Sequence, residues 1–193
     1  LTQSFLYKFL NDKFLYEAQN VDSENTYEHL VSMSEEDYDW LLEDIGTSTA
    51  WMKPNQFIET LHRKQNESDF YETFENTLNQ IAIDNNDIFS VHTDGDTAIR
   101  LFDERLITDT ISDSSKRNEV AKAIINLLAR VKFDETIFSQ GFDFFSTLFE
   151  YMIKDYNKDG GGKYAEYYTP HSVAKIIADI LVGNDQPSNV RIY

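Results

Sequence analysis

The 193 residues suffice for one domain, or for one domain and part of a second, at about 150 residues each. At 41% hydrophobic and 14% aromatic the chain is too apolar for a disordered tail. It has no apolar run long enough to cross a bilayer, and zero cysteines rule out disulfides, thiolate metal sites and cysteine nucleophiles. Thirty-four acidic against 17 basic side chains leave a formal charge of -17, which repels polyanions on average, so nucleic acid must be met at a local basic patch or through a partner.

The expected setting is a soluble, cytoplasmic protein, since the start lacks the charged, apolar and small-residue pattern of a secretory leader. Because the first residue is Leu1 and not methionine, the chain reads as a piece of something longer.

Near the front, Phe5, Leu6, Phe9, Leu10 and Phe14 repeat at helical spacing. Acidity concentrates here, with eleven carboxylates against Lys8 and Lys13 in the first fifty residues. Ser34, then Asp37, then Trp40, Leu41 and Leu42 predict a capped helix stopping near Gly46, and Pro54 opens a short further helix. His62, Arg63 and Lys64 form a small basic cluster. Phe70, Phe74, Leu78 and Ile81 follow as a helix after a Ser68 cap, and Ala98 to Leu106 can be extended.

Farther on, Val120, Ile124, Leu127, Leu128 and Val131 predict an amphipathic helix with Lys122, Asn126 and Arg130 on its back. The balance reverses there: Lys116, Arg117, Lys122, Arg130 and Lys132 stand against Glu119, and these five are the candidate DNA-binding residues. A plain solvated helix face is the commoner meaning of any one such run, so the segment is a candidate only. Phe145, Leu148, Phe149, Met152 and Tyr156 predict another helix, Gly160 to Gly162 a hinge or linker, and Asn189 to Tyr193 an extended end. The expected fold is mainly α, with a helical domain over 1–159 and a motif segment over 160–193.

Catalytic signals are sparse. Gly160-Gly161-Gly162-Lys163 lacks the glycine spacing and the Ser or Thr of a phosphate loop. His29, His62, His92 and His171 are too scattered to suggest a metal site, and the carboxylates read as an exposed acidic face. The informative stretch is Lys163 to Pro170 followed by Val173, Ile176, Ile177, Ile180 and Leu181. Thr169 is a cap and Pro170 a first helical residue, so the helix end can attract a carboxylate or phosphate beside the flat rings of Tyr167 and Tyr168. A capped surface helix with two core tyrosines is the plainer alternative.

Glu166-Tyr167-Tyr168-Thr169-Pro170 resembles the G-E-F-Y-T-P signature of the methylation subunit of type I restriction-modification systems, which modify adenine at N6. Within Phe142 to Lys158, Phe149-Glu150-Tyr151-Met152-Ile153 is similar to the Y-E-Y-L helix of that family, and Ser4 to Phe14 is similar to its L-F-L-K-x-L-S-D-K-F opening. Departures are Ala165 for the family glycine and Tyr167 for its phenylalanine; nothing between Tyr27 and Glu135 matches a family signature.

The resemblance implies the N-terminal helical domain of an N6-adenine DNA methyltransferase, ending at the start of a Rossmann-like methyltransferase domain absent from this chain. It implies S-adenosylmethionine as cofactor, bound by Glu166, Tyr167, Tyr168, Thr169 and Pro170. It implies as partners DNA, the specificity and restriction subunits of the same system and a second methylation subunit, and no membrane. The family's D-P-x-x-G-x-G loop and its N-P-P-F or N-P-P-Y tetrapeptide do not occur, so no catalytic residue is assigned and this chain alone is expected to be inactive. Two rival readings stay open: an acidic interaction module or DNA-charge mimic, and a helical bundle with an aromatic ligand pocket.

Overall fold

Twenty residues at the front, Thr2–Val21, form α1 of the computed structural model, which describes residues 2–86, 102–133, 136–139 and 171–182. The chain separates into two compact units, Leu1–Phe138 and Ser139–Tyr193. Among the described residues all regular structure is helical and no strand occurs. The expected boundary after residue 159, the Phe145 helix, the Gly160 to Gly162 break and the Asn189 to Tyr193 end lie outside the described residues.

The helix expected at the front is present, but its buried row is Tyr7, Leu10, Phe14 and Ala18, while Phe5, Leu6 and Phe9 are half-buried. Two polar side chains are buried within that row for a reason composition does not show. Lys8 pairs with Asp12 at 2.9 Å, and Asn11 Oδ1 accepts the Ile58 amide at 2.9 Å. Phe14 meets Phe57 and Tyr38 at centroid distances of 5.7 and 6.4 Å, and Tyr7 meets Phe74 edge-on at 6.1 Å.

After the short helix α2 (Tyr27–Ser32), α3 spans Glu35–Ile45 as its sequence predicts. Ser34 Oγ accepts the Asp37 amide at 3.1 Å, and Gly46 ends the helix at φ 60, a conformation that side-chain-bearing residues rarely adopt. Inward on α3 lie Tyr38, Leu41 and Ile45.

Other helices' side chains clasp the connection from Gly46 to Phe57. Tyr38 and Tyr7 donate to the carbonyls of Met52 and Gln56, each at 2.6 Å, and burial pushes both phenols above their ordinary pKa. Asn85 accepts the Trp51 amide at 2.6 Å and donates to the Trp51 carbonyl at 2.8 Å. A single 3₁₀ turn, Pro54–Gln56, leads into α4 (Ile58–Lys64), whose first amide is the one that Asn11 receives.

Helix α5 (Phe70–Asp84) departs from expectation at its start. Asp69, not Ser68, precedes it, with φ 55 and no side-chain cap. Its free Tyr71 amide is met by Asn118 Oδ1 at 3.0 Å, from a helix 47 positions away. The stretch expected to be extended holds no strand over 102–105, its residues 98–101 lie outside the described set, and Leu106 opens α6 (Leu106–Thr110). Glu75 caps α6 from α5, accepting the Ile107 and Thr108 amides at 2.7 Å each and the Thr108 hydroxyl at 2.8 Å.

Helix α7 (Ser114–Arg130) packs against α1, α4, α5 and α6. Its buried row is Ala121, Ile125 and Leu128, rotated from the predicted face, and Leu127 is exposed. Surrounded on several sides, α7 buries a small residue, Ala121, where neighbours approach closely, which simple apolar periodicity undervalues. The short α8 (Thr136–Ser139) carries Phe138 against Phe9 and Tyr16 at 5.5 and 5.4 Å. In the second unit, α9 spans His171–Val182, and its Val173, Ile176, Ile177 and Ile180 are exposed.

Candidate functional site

The five basic candidates do not form one continuous surface. At about 100° per residue, Lys116, Lys122 and Arg130 share the outer side of α7, spread over about 20 Å, with Glu119 among them and Arg117 on a different side. Arg117 Nε donates to the Ile111 carbonyl at 3.0 Å, its Nη2 to the Thr108 carbonyl at 3.4 Å, and the guanidinium lies 5.8 Å from the Tyr71 ring. It therefore ties α5, α6 and α7 together. Lys116 sits 3.6 Å from Asp113, and Lys122 reaches Asn66 Oδ1 at 3.5 Å. Arg130 and Lys132 are exposed and have no ion-pair partner among the described residues.

The earlier basic cluster is also partly committed. Arg63 pairs with Glu59 at 3.1 Å and Glu28 at 3.6 Å and stacks over Tyr27 at 4.9 Å. The His62 ring lies 3.0 Å from Asn126 Oδ1, and Asn126 donates to Gln65 at 2.6 Å, forming a polar seam between α4 and α7. Asn126, read in sequence as part of a basic back, thus works as an interhelix hydrogen-bonding residue.

Beside Lys132 runs an open groove of about 370 Å³, walled by Tyr16, Phe133 and Phe138 and floored in part by Lys8 and Asp12. An aromatic pocket is among the open readings of the sequence, but the helical rows do not name Tyr16, Phe133 or Phe138; the signal for the wall is the close recurrence of Phe133 and Phe138 just after the basic helix. Among the described residues no His, Asp and Glu group is placed to hold a metal, and no helix is long and apolar enough to cross a membrane.

In the second unit α9 opens at His171, directly after the helix start expected at Thr169 and Pro170. Among the described residues no acidic residue occupies its first turn, where the helix dipole favours an anion. Glu166, Tyr167, Tyr168, Thr169 and Pro170 themselves lie outside the described residues.

Residues 140–193 match the family model for N-6 DNA methylase. The matched stretch contains Glu166 to Pro170, Phe149 to Ile153 and all of α9, whereas the helices of the first unit precede it. Over these residues the chain is similar to N-6 DNA methylases. No curated protein and no solved structure matches the chain.

Proposed function

We propose that the chain is the N-terminal part of the methylation subunit of a type I restriction-modification system, an adenine-N6 DNA methyltransferase acting in the cytoplasm. One observation carries this reading. The methylase match over 140–193 coincides with Glu166-Tyr167-Tyr168-Thr169-Pro170 set directly before α9. Residues 1–159 form the helical domain, and 160–193 lead into the catalytic domain.

In this reading the α9 N-terminus and Thr169 would hold the carboxylate of S-adenosylmethionine, because the helix dipole favours an anion there. Tyr167 and Tyr168 would offer aromatic rings to the sulfonium, an attraction worth about 0.5 to 2 kcal/mol. Bound there, S-adenosylmethionine supplies the methyl group, and the target adenine is turned out of the duplex to reach it. The helical domain holds DNA and meets the specificity subunit, the restriction subunit and a second methylation subunit. Arg130, at the end of α7, and Lys132, just beyond it, make the phosphate contacts, Lys116 and Lys122 lie farther back on α7, and Arg117 supports that helix.

The test is to express the natural gene product carrying residues 1–193 together with its specificity subunit and to supply unmethylated DNA and methyl-labelled S-adenosylmethionine. Label is expected in N6-methyladenine, and Tyr168→Ala and Thr169→Ala are expected to weaken cofactor binding about tenfold or more while the helical unit stays folded. Label in cytosine, or none in DNA, would overturn the reading.

A further inference from the structure

We propose that α3 carries a docking anchor for a basic protein surface, built from Trp40 and the four carboxylates around it. Trp40 is 64% exposed, although tryptophan is on average a largely buried residue. Tyr38, Leu41 and Ile45 hold α3 to the core, so the indole has no part in that packing. Helical spacing puts Glu36 and Asp37 one turn before Trp40 and Glu43 and Asp44 one turn after it, and all four are exposed.

Local helix chemistry explains only half of this ring. Glu36 and Asp37 lie in the first turn, where the dipole favours negative charge, and Asp37 also bonds to Ser34. Glu43 and Asp44 lie at the opposite end, where the dipole disfavours them and no basic residue occupies the last turn. Among the described residues none of Glu36, Glu43 and Asp44 has an ion-pair partner.

An exposed aromatic residue inside a ring of unpaired carboxylates is complementary to one kind of surface: an apolar pocket rimmed by arginine or lysine. Tryptophan is among the residues that dominate binding when they enter such a pocket, and an arginine can also stack on the indole. Nucleic acid shares the sign of the ring and is repelled. A second copy is disfavoured by the charge of -17 that each chain would bring. The inference stands on α3 alone and does not depend on the methyltransferase reading.

The experiment places a photo-crosslinking analogue of tryptophan, which keeps the indole ring, at position 40 of the natural protein in its own cells and maps the crosslinked residues by mass spectrometry. The expected product joins position 40 to a protein segment with arginine or lysine beside apolar residues. Its yield falls at least fivefold when Glu36→Gln, Glu43→Gln and Asp44→Asn are introduced together, and stays unchanged with the equally neutralising set Glu24→Gln, Glu67→Gln and Glu119→Gln. With that segment purified, Trp40→Ala weakens binding at least tenfold while the circular dichroism spectrum is retained. Crosslinks only to nucleic acid, to a second copy, to a segment without basic residues, or to nothing overturn the proposal, as does equal loss with both charge sets.

Discussion

Asn118, in the second turn of α7, completes the start of α5 by accepting the Tyr71 amide at 3.0 Å. Asp69, the residue that precedes α5, has a positive φ and offers no cap of its own, so the duty falls to another helix. Asn118→Ala is expected to lower stability by about 1 to 2 kcal/mol, the usual cost of losing a cap, and Asn118→Asp to recover most of it by restoring an acceptor. Urea unfolding followed by circular dichroism measures both, and equal midpoints for Asn118→Ala and the parent would show that water replaces the bond without loss.

Glu75 does the same for α6 with a charged group. Its three short bonds to Ile107 and Thr108 form within a largely buried site, where a carboxylate is an especially strong acceptor. Glu75→Ala should cost about 2 to 3 kcal/mol and loosen α6 before the rest of the unit. Amide exchange at Ile107 and Thr108 should accelerate more than exchange at Ile125; uniform acceleration would mean that α6 has no separate opening.

For DNA, Arg130 and Lys132, which are exposed and have no ion-pair partner among the described residues, are the basic candidates to change. Arg130→Gln with Lys132→Gln should reduce the slope of log affinity against log salt by about 1 to 2 in the assembled enzyme, since each lost phosphate contact removes about 0.9. Arg117→Gln should lower the unfolding midpoint and leave that slope alone, because its guanidinium is spent on Ile111, Thr108 and Tyr71. An unchanged slope in the double variant removes these residues from the DNA surface.

Acid should weaken the first unit in a defined window. Burial alone would push the Asp84 carboxyl up, but hydrogen bonds from Gln80, Lys53 and Gln56 outweigh it and hold Asp84 below its ordinary value. Hydrogen bonds from the Ser115 hydroxyl and amide lower Asp113 likewise. A carboxyl whose folded pKa is depressed stabilises the fold above its unfolded value of about 3.9, and that contribution is lost as pH falls through the folded value. The urea midpoint should therefore drop below about pH 4, and Asp84→Asn should flatten that acid limb. A limb as steep in Asp84→Asn as in the parent would assign the loss to other groups.

Helix existence was legible in this sequence wherever apolar residues recurred with a local cap, as at Ser34 and Gly46 of α3. It failed at faces and ends. Apolar spacing found the buried Leu10 and Phe14 of α1 and Leu128 of α7, but it also pointed to the half-buried Phe5 and Phe9 and the exposed Leu127 and passed over the buried Tyr7 and Ala121, because a helix with neighbours on several sides buries whatever fits the closest approach. The Ser68 cap failed because Asn118 performs that task from across the bundle, and no local motif encodes a partner 47 residues away. Basic residues were visible as a run, but whether a cation is spoken for depends on carbonyls and rings brought by other helices, as Arg117 shows against Arg130. The methylase signature was readable because it is a contiguous string, and the family match falls on that same string.

Asn11, Glu75 and Asn118 each finish a helix other than their own: α4 borrows its first hydrogen bond from α1, α6 from α5 and α5 from α7. A shortened fragment ending before Ser114 would keep every residue of α5 and still leave its opening amide unsatisfied. The same holds for a circular permutant that displaces α1 from α4. The first unit should accordingly resist piecemeal dissection and melt as a single cooperative block, with a protease finding few intermediate places to cut until the whole assembly of helices has come apart.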